Sequence, residues 1–285
     1  MGFAYSAYSL VRETISEWVN DRASRKGAAL AFYTVFSLAP ILILSIAIAG
    51  VFFGKQAARG EIFTQVRDLL GPSGAMAIQA MVESASHPGA GALATIIGFG
   101  TLFIGATTAL VELKDGLDQI WDVPPERMRG FWYFVRKRLL SFGLILSLGF
   151  LLLVSLALSA ALSVLARKWG PQDATAWVLE GLNFLFSFAL VTLLFAMIYK
   201  ILPSVRIAWR DVIIGAVITA LLFSIGKFAI GLYLGNSAIA SSYGAAGSVI
   251  LVLVWVYYSA QIFLLGAEFT KVYAHRHGSK RAEPW

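Results

Sequence analysis

Cysteine is absent from the 285 residues, which excludes a disulfide, a thiolate metal site and a thiol nucleophile. Charge is scarce. Asp, Glu, Lys and Arg make up 14% of the chain, against about 25% in soluble domains, which argues against a soluble fold of this size. The three histidines, His87, His275 and His277, show no pairing at metal-ligand spacing. Walker-type phosphate loops, His-Glu-x-x-His and Gly-x-Ser-x-Gly are all missing. The sequence thus carries no catalytic constellation and asks for no metal or cofactor, and the expectation is a protein that is not an enzyme. No polar linker separates the apolar stretches, so a single domain is expected over residues 1–285.

What the chain has is apolar length. Hydrophobic residues make up 58% of it, and the mean hydropathy is +0.75. Six nearly uncharged runs cover residues 27–53, 92–111, 139–166, 176–199, 212–234 and 247–272. Each reaches the ~20 residues that a helix rising ~1.5 Å per residue needs to cross a hydrocarbon core of about 30 Å. Barrel strands would show short alternating segments, whereas these runs are apolar on every face. The expected fold is therefore all-α: a polytopic membrane protein with six transmembrane helices plus amphipathic interfacial helices. Residues 1–26 form a cytoplasmic interfacial helix, 27–273 the six-helix bundle and 274–285 a cytoplasmic basic tail.

The formal charge of +7 raises nucleic-acid binding, and the placement of the charges answers it. Seventeen of the 23 Lys and Arg fall in the N-terminal segment, the second and fourth loops and the tail. Only Lys55, Arg59, Arg67, Arg167 and Lys168 occupy the opposite side. By the positive-inside rule both termini are cytoplasmic. The basic charge then reads as an orientation signal and a contact for anionic lipid headgroups, with membrane lipids and not nucleic acid as partners. The run Phe131-Trp132-Tyr133-Phe134 before Arg136, Lys137 and Arg138 reads as an aromatic belt beside snorkelling cations. These three cations are candidate headgroup contacts.

Between the runs, Ala4, Tyr8, Val11, Ile15, Trp18 and Val19 recur at helical spacing, which suits an amphipathic helix along the cytoplasmic interface or packed beneath the bundle. Pro40 falls inside the first run and should bend it. Residues 55–91 form the sizeable extracytoplasmic loop, expected as two short surface helices split at Gly71-Pro72-Ser73-Gly74. After the second run the helix should continue to Trp121 and stop before Pro124-Pro125. In the third run Gly143, Ser147, Ser155, Ser159 and Ser163 are spaced for close helix approach.

Lys227 stands alone within an apolar run. A charge there costs ~2.5–3.5 kcal/mol on insertion scales, so it faces a partner or water, or snorkels outward. Depth counting at ~1.5 Å per residue places it roughly 10–12 Å from the outer end of its helix. At similar depth stand Ser45, Ser159, Asn183 and Tyr258, with Glu180 about one turn shallower. Together these six residues make a candidate intramembrane polar layer. Glu268 and Lys271, three residues apart, are spaced to pair at the interface.

Several strings resemble the YihY/BrkB family of bacterial inner-membrane proteins. They are the stretch from Lys26-Gly27 to Ala39-Pro40, Ile120-Trp121-Asp122-Val123-Pro124, Tyr199-Lys200-Ile201-Leu202-Pro203, and Tyr243-Gly244-Ala245-Ala246-Gly247-Ser248 leading to Trp255-Val256-Tyr257-Tyr258 and Gly266-Ala267-Glu268. They run in the family's order over nearly the whole chain. The resemblance implies a multi-pass protein of the bacterial inner membrane with six helices and both ends in the cytoplasm. Some members carried a ribonuclease BN label, for which this chain shows no nuclease ligand set. Others are linked to envelope lipid export. The expectation is a transporter or flippase-like protein for a lipid or amphipathic solute, the alternative a non-transporting envelope factor that binds lipid or scaffolds partners.

Overall fold

The computed structural model describes residues 2–85, 92–124, 143, 173–236 and 245–281, and the regular elements among them are all helices. They are α1 (Gly2–Asn20), α2 (Ala23–Phe53), α3 (Lys55–Ala85), α4 (Ala92–Ile120), α5 (Asp173–Ile201), α6 (Trp209–Asn236) and α7 (Ala245–Arg276). Four stretches are long and apolar enough to cross a membrane: Ala23–Val51, Phe184–Ile201, Trp209–Ile230 and Val249–Arg276. The expected second run lies within α4. The third, apart from Gly143, lies outside the described residues, as do Ser159, Arg136, Lys137, Arg138 and His87.

Close packing of α5, α6 and α7 rests on small residues. A Cβ added to Gly215 of α6 would collide with the Thr270 hydroxyl of α7, and one on Gly266 of α7 with the Thr219 hydroxyl of α6. Each threonine turns its hydroxyl back to the carbonyl four residues earlier, Thr219 to Gly215 and Thr270 to Gly266, both at 2.7 Å. The two helices therefore meet through reciprocal glycine–threonine contacts, the small-residue solution for helices without a hydrophobic drive to associate. Tyr199 of α5 joins them by donating to the Phe263 carbonyl at 2.7 Å, with Thr219 Oγ1 at 3.1 Å. Around these contacts Leu117, Ile120, Tyr199, Leu202, Val212, Ala216, Ala220 and Leu264 form the main buried cluster.

α2 continues as helix through Pro40 to Phe53. It stops at Gly54, whose φ of 85° suits glycine. Helical conformation then runs from Lys55 through Pro72 to Ala85, yet Arg59 Nη2 lies 2.6 Å from Glu83 Oε1. A straight helix would separate residues 24 apart by about 36 Å, so α3 folds back on itself, its midpoint falling at Gly71-Pro72-Ser73-Gly74. The chain reverses about the expected Gly71-Pro72-Ser73-Gly74 stretch, but the expected split into two helices is corrected, since helical conformation runs through it. The expected place on a membrane surface is corrected, because the inner face of the hairpin, Ile62, Ala77, Ile78 and Val82, shares a buried cluster with Ala31, Val35, Ala39 and Leu42 of α2 and Val252 and Val256 of α7. An amphipathic hairpin buries its apolar face where a partner stripe exists, and here that stripe is the middle of α2. Lys55, Gln56, Arg59, Thr64, Arg67, Gln79 and Glu83 stay on its exposed face.

The end of α4 follows from the Trp121-Asp122-Val123 string. Asp122 N–H bonds Gln119 O at 3.1 Å and Val123 N–H bonds Asp118 O at 2.9 Å, the Schellman pattern. Its left-handed residue is Asp122, with φ 49°. α1 packs along the last turns of α7, where Arg276 donates to Ser9 Oγ at 2.8 Å and pairs with Glu13. The N-terminal helix and the end of α7 therefore share one end of the bundle. α1 is amphipathic as expected, but its acidic face meets basic α7 while Tyr8, Val11, Ile15 and Val19 point outward.

Candidate functional site

Buried charge concentrates at the end of the bundle that carries α1 and the C-terminus of α7. Lys114 and Asp118, one turn apart near the end of α4, are 3% and 0% exposed. Lys114 Nζ donates to Asp118 Oδ2 at 2.9 Å, Leu202 O at 3.0 Å and Ser204 Oγ at 2.6 Å. Ser204 returns two bonds to Asp118, from its N–H at 2.6 Å and its hydroxyl at 2.9 Å. The pair thereby ties α4 to the connection between α5 and α6. Every donor of the ammonium has an acceptor, which is what a buried ion requires.

A second group joins α1, α2, α4 and α7. Lys271 is 5% exposed and donates to Asp122 Oδ2 at 2.6 Å, with Glu17 Oε2 at 4.0 Å. The expected local pairing with Glu268 is corrected: the Schellman turn carries Asp122 to Lys271, and the ammonium is used there. Glu268 is 0% exposed, and both its oxygens lack a hydrogen-bond partner. The Asp21 carboxyl is the neighbouring acid that acts on it, while Lys26 Nζ is 3.8 Å from Asp21 Oδ2. Two turns along α7, Gln261 donates weakly to Ser24 O at 3.4 Å and packs against Gly27, where a Cβ would collide with its amide.

A third constellation straps the tail. Asp211, in the first turn of α6, is 1% exposed and accepts from Ser279 N–H at 2.9 Å and Ser279 Oγ at 2.7 Å. Beside it Lys200 donates to Ile207 O, its ammonium 5.5 Å from the Trp209 ring centroid. His275 Nδ1 lies 3.0 Å from Lys271 O, and the His277 ring stacks on Tyr273. Among the described residues no group of three or more His, Cys, Asp or Glu is placed to hold a metal.

The polar layer drawn from depth counting is placed as follows. Ser45 is buried on α2. Tyr258 is half-buried on α7, packed so closely on α6 that a Cβ on Gly226 would sit 2.7 Å from its hydroxyl. Lys227, the next residue, is exposed. Glu180 and Asn183 belong to α5, but their side chains lie outside the described residues. The sequence reading missed Asp118, Asp21, Asp122 and Asp211. The Lys114–Asp118 spacing signals a pair on one helix face, but the partners across the bundle leave no local signal.

Apolar helices of membrane-crossing length tied together by buried ions define an all-helical membrane protein. The chain belongs to the family described as virulence factor BrkB, whose profile matches residues 14–285. It is similar to proteins named UPF0761 membrane protein. One from Stenotrophomonas maltophilia is 28% identical over 269 residues, covering 93% of this chain and 60% of that protein. One from Pseudomonas aeruginosa is 30% identical over 259 residues, covering 88% and 59%. One from Vibrio vulnificus is 25% identical over 283 residues, covering 98% and 87%. The chain thus spans about 60% of the length of the first two. No solved structure matches it.

Proposed function

We propose that this protein moves a lipid or amphipathic solute across the bacterial inner membrane, as a six-span transporter or flippase-like protein with both termini in the cytoplasm. The observation that carries this reading is the α3 hairpin. Its apolar face is buried against the middle of α2, and its outer face carries Arg59, Arg67 and Glu83 in the open. A headgroup crossing hydrocarbon loses its hydration at a cost of several kcal/mol. A polar face running beside a membrane-crossing helix offers replacement hydrogen bonds along that route. Both termini at one end agree with an even number of spans, and the excess of Lys and Arg around that end agrees with a cytoplasmic side. Lys227, with Glu180 and Asn183 on the neighbouring helix, is the candidate contact on the far half of the route. Arg136, Lys137 and Arg138 are the candidate headgroup contacts at entry.

A second reading, a non-transporting factor that binds lipid or scaffolds partners, draws on the outward stripe of α1. Tyr8, Val11, Ile15 and Val19 are 50–66% exposed, beside exposed Arg12, a pattern suited to lying against a bilayer. Transbilayer movement of labelled phospholipid in proteoliposomes separates the two. Movement faster than in protein-free vesicles, slowed by Lys227→Leu, supports the transport reading and its route. No movement with or without a proton gradient supports the scaffold reading.

A further inference from the structure

The buried carboxyl of Glu268 has a chemical requirement that its surroundings do not meet. It is 0% exposed, and neither oxygen accepts a hydrogen bond. The group that faces it is another carboxyl, Asp21, whose Oδ2 is likewise buried and accepts none. Two carboxylates face to face repel one another and have no donor between them.

Among the described residues, the charged groups packed around the pair do not supply one. From α1 comes Glu17, a further acid. From α2 comes Lys26, whose ammonium is 3.8 Å from Asp21, beyond hydrogen-bond length. From α7 comes Lys271, committed to Asp122 of α4 at 2.6 Å. One turn on, His275 is engaged through Nδ1 with the Lys271 carbonyl. Arg22 and Arg25 are exposed. Asp122 is largely exposed, at 69%, so water shares its charge. Among the described residues, the mostly buried set is then three carboxyls, Glu17, Asp21 and Glu268, against two ammonium groups, Lys26 and Lys271. One positive charge is wanting.

We propose that Asp21 and Glu268 form a proton-binding carboxyl pair. One hydrogen held between them provides the missing donor, brings the charges of the set into balance and turns a repulsive contact into a hydrogen bond. This is the device by which paired carboxyls share a single proton. A metal cation fits the place poorly. Hard divalent cations take six or more oxygen ligands, and among the described residues no third acid joins these two at metal distance. The Asp21 side chain is 23% exposed whereas Glu268 is sealed, so Asp21 is the member of the pair that meets water, and one shared hydrogen leaves the total charge of the pair at minus one. The inference stands whether or not the protein transports.

Infrared difference spectroscopy of the purified full-length protein at neutral pH tests it. The expected result is the carbonyl stretch of a neutral, hydrogen-bonded carboxyl group that shifts in heavy water. It disappears in Glu268→Gln and changes frequency in Asp21→Asn, while sodium leaves it unaltered. Circular dichroism establishes that each variant retains its helices. Should a variant not fold, wild-type protein with isotopically labelled glutamate replaces it, and the band must move with the label. A wild-type spectrum with no neutral-carboxyl band at neutral pH overturns the proposal. So does a band that persists unchanged in both variants or fails to move with the label, and so does a band abolished by sodium, which would make the ligand a metal cation.

Discussion

Replacing Lys114 by methionine removes the ammonium that two buried acceptors and the hydroxyl of exposed Ser204 share and leaves most of the side-chain volume in place. The geometry sets the magnitude. Asp118, at 0% exposure, keeps the two donors of Ser204 but loses its counter-ion, and the Leu202 carbonyl loses a donor. Removing one member of a buried ion pair costs about 3–5 kcal/mol. Removing both, in Lys114→Met with Asp118→Leu, leaves no buried ion, and the N–H of exposed Ser204 turns to water at the cost of one ordinary hydrogen bond, about 0.5–1.5 kcal/mol. The double variant should therefore be more stable than Lys114→Met alone. Thermal unfolding in detergent, followed by circular dichroism, reads the order. At roughly 2–4 °C per kcal/mol for a large domain, the single variant unfolds on the order of 10 °C below wild type, with the double variant between them. A Lys114→Met protein that unfolds at the wild-type temperature refutes the reasoning, as does a double variant that falls below the single one.

Other consequences are equally specific. The chain has no cysteine, so Arg59→Cys with Glu83→Cys gives a clean pair that a short bifunctional thiol reagent should join within one chain; a straight α3 would hold the two about 36 Å apart and leave them unjoined. Arg59→Gln alone, by contrast, should change stability by less than about 1 kcal/mol, because the ion pair is half exposed and such pairs contribute little; a larger loss in thermal unfolding would contradict that. Gly266→Ala drives a methyl into Thr219 and the Tyr199 hydroxyl and should cost about 1–3 kcal/mol of overpacking strain, partly recovered by adding Thr219→Ala. No recovery in the thermal unfolding of the double variant would place the strain elsewhere.

The sequence made some of this legible and hid the rest for physical reasons. The apolar runs that became α2, α5, α6 and α7 announce themselves by length, because a bilayer demands about 20 residues whatever the helix packs against. The stop after Trp121 and the fold at Gly71-Pro72-Ser73-Gly74 are local, so Gly and Pro report them. That α3 docks on the middle of α2 is not local. An amphipathic face says that something will be covered and not what. The orientation of α1 has the same origin: its apolar stripe suits either the interface or the underside of the bundle, and pairing of its acids with Arg276 and Lys271 turns that stripe outward. Asp21 and Glu268 are nearly a chain length apart, and Ser204 is remote from Lys114. Their meetings are consequences of topology alone. Lys227 stood out because charge is rare in apolar runs, yet a sequence does not say which way such a side chain turns.

The most direct test of the central claim links the hairpin to movement. Labelled-phospholipid transfer would be measured in proteoliposomes holding wild type or the variant Arg59→Gln/Arg67→Gln/Glu83→Gln, with equal amounts of folded protein. The account predicts transfer well above protein-free vesicles for wild type and a large loss in the variant, at nearly unchanged thermal stability. Equal rates in the two proteins, or a wild type no faster than empty vesicles, would contradict it.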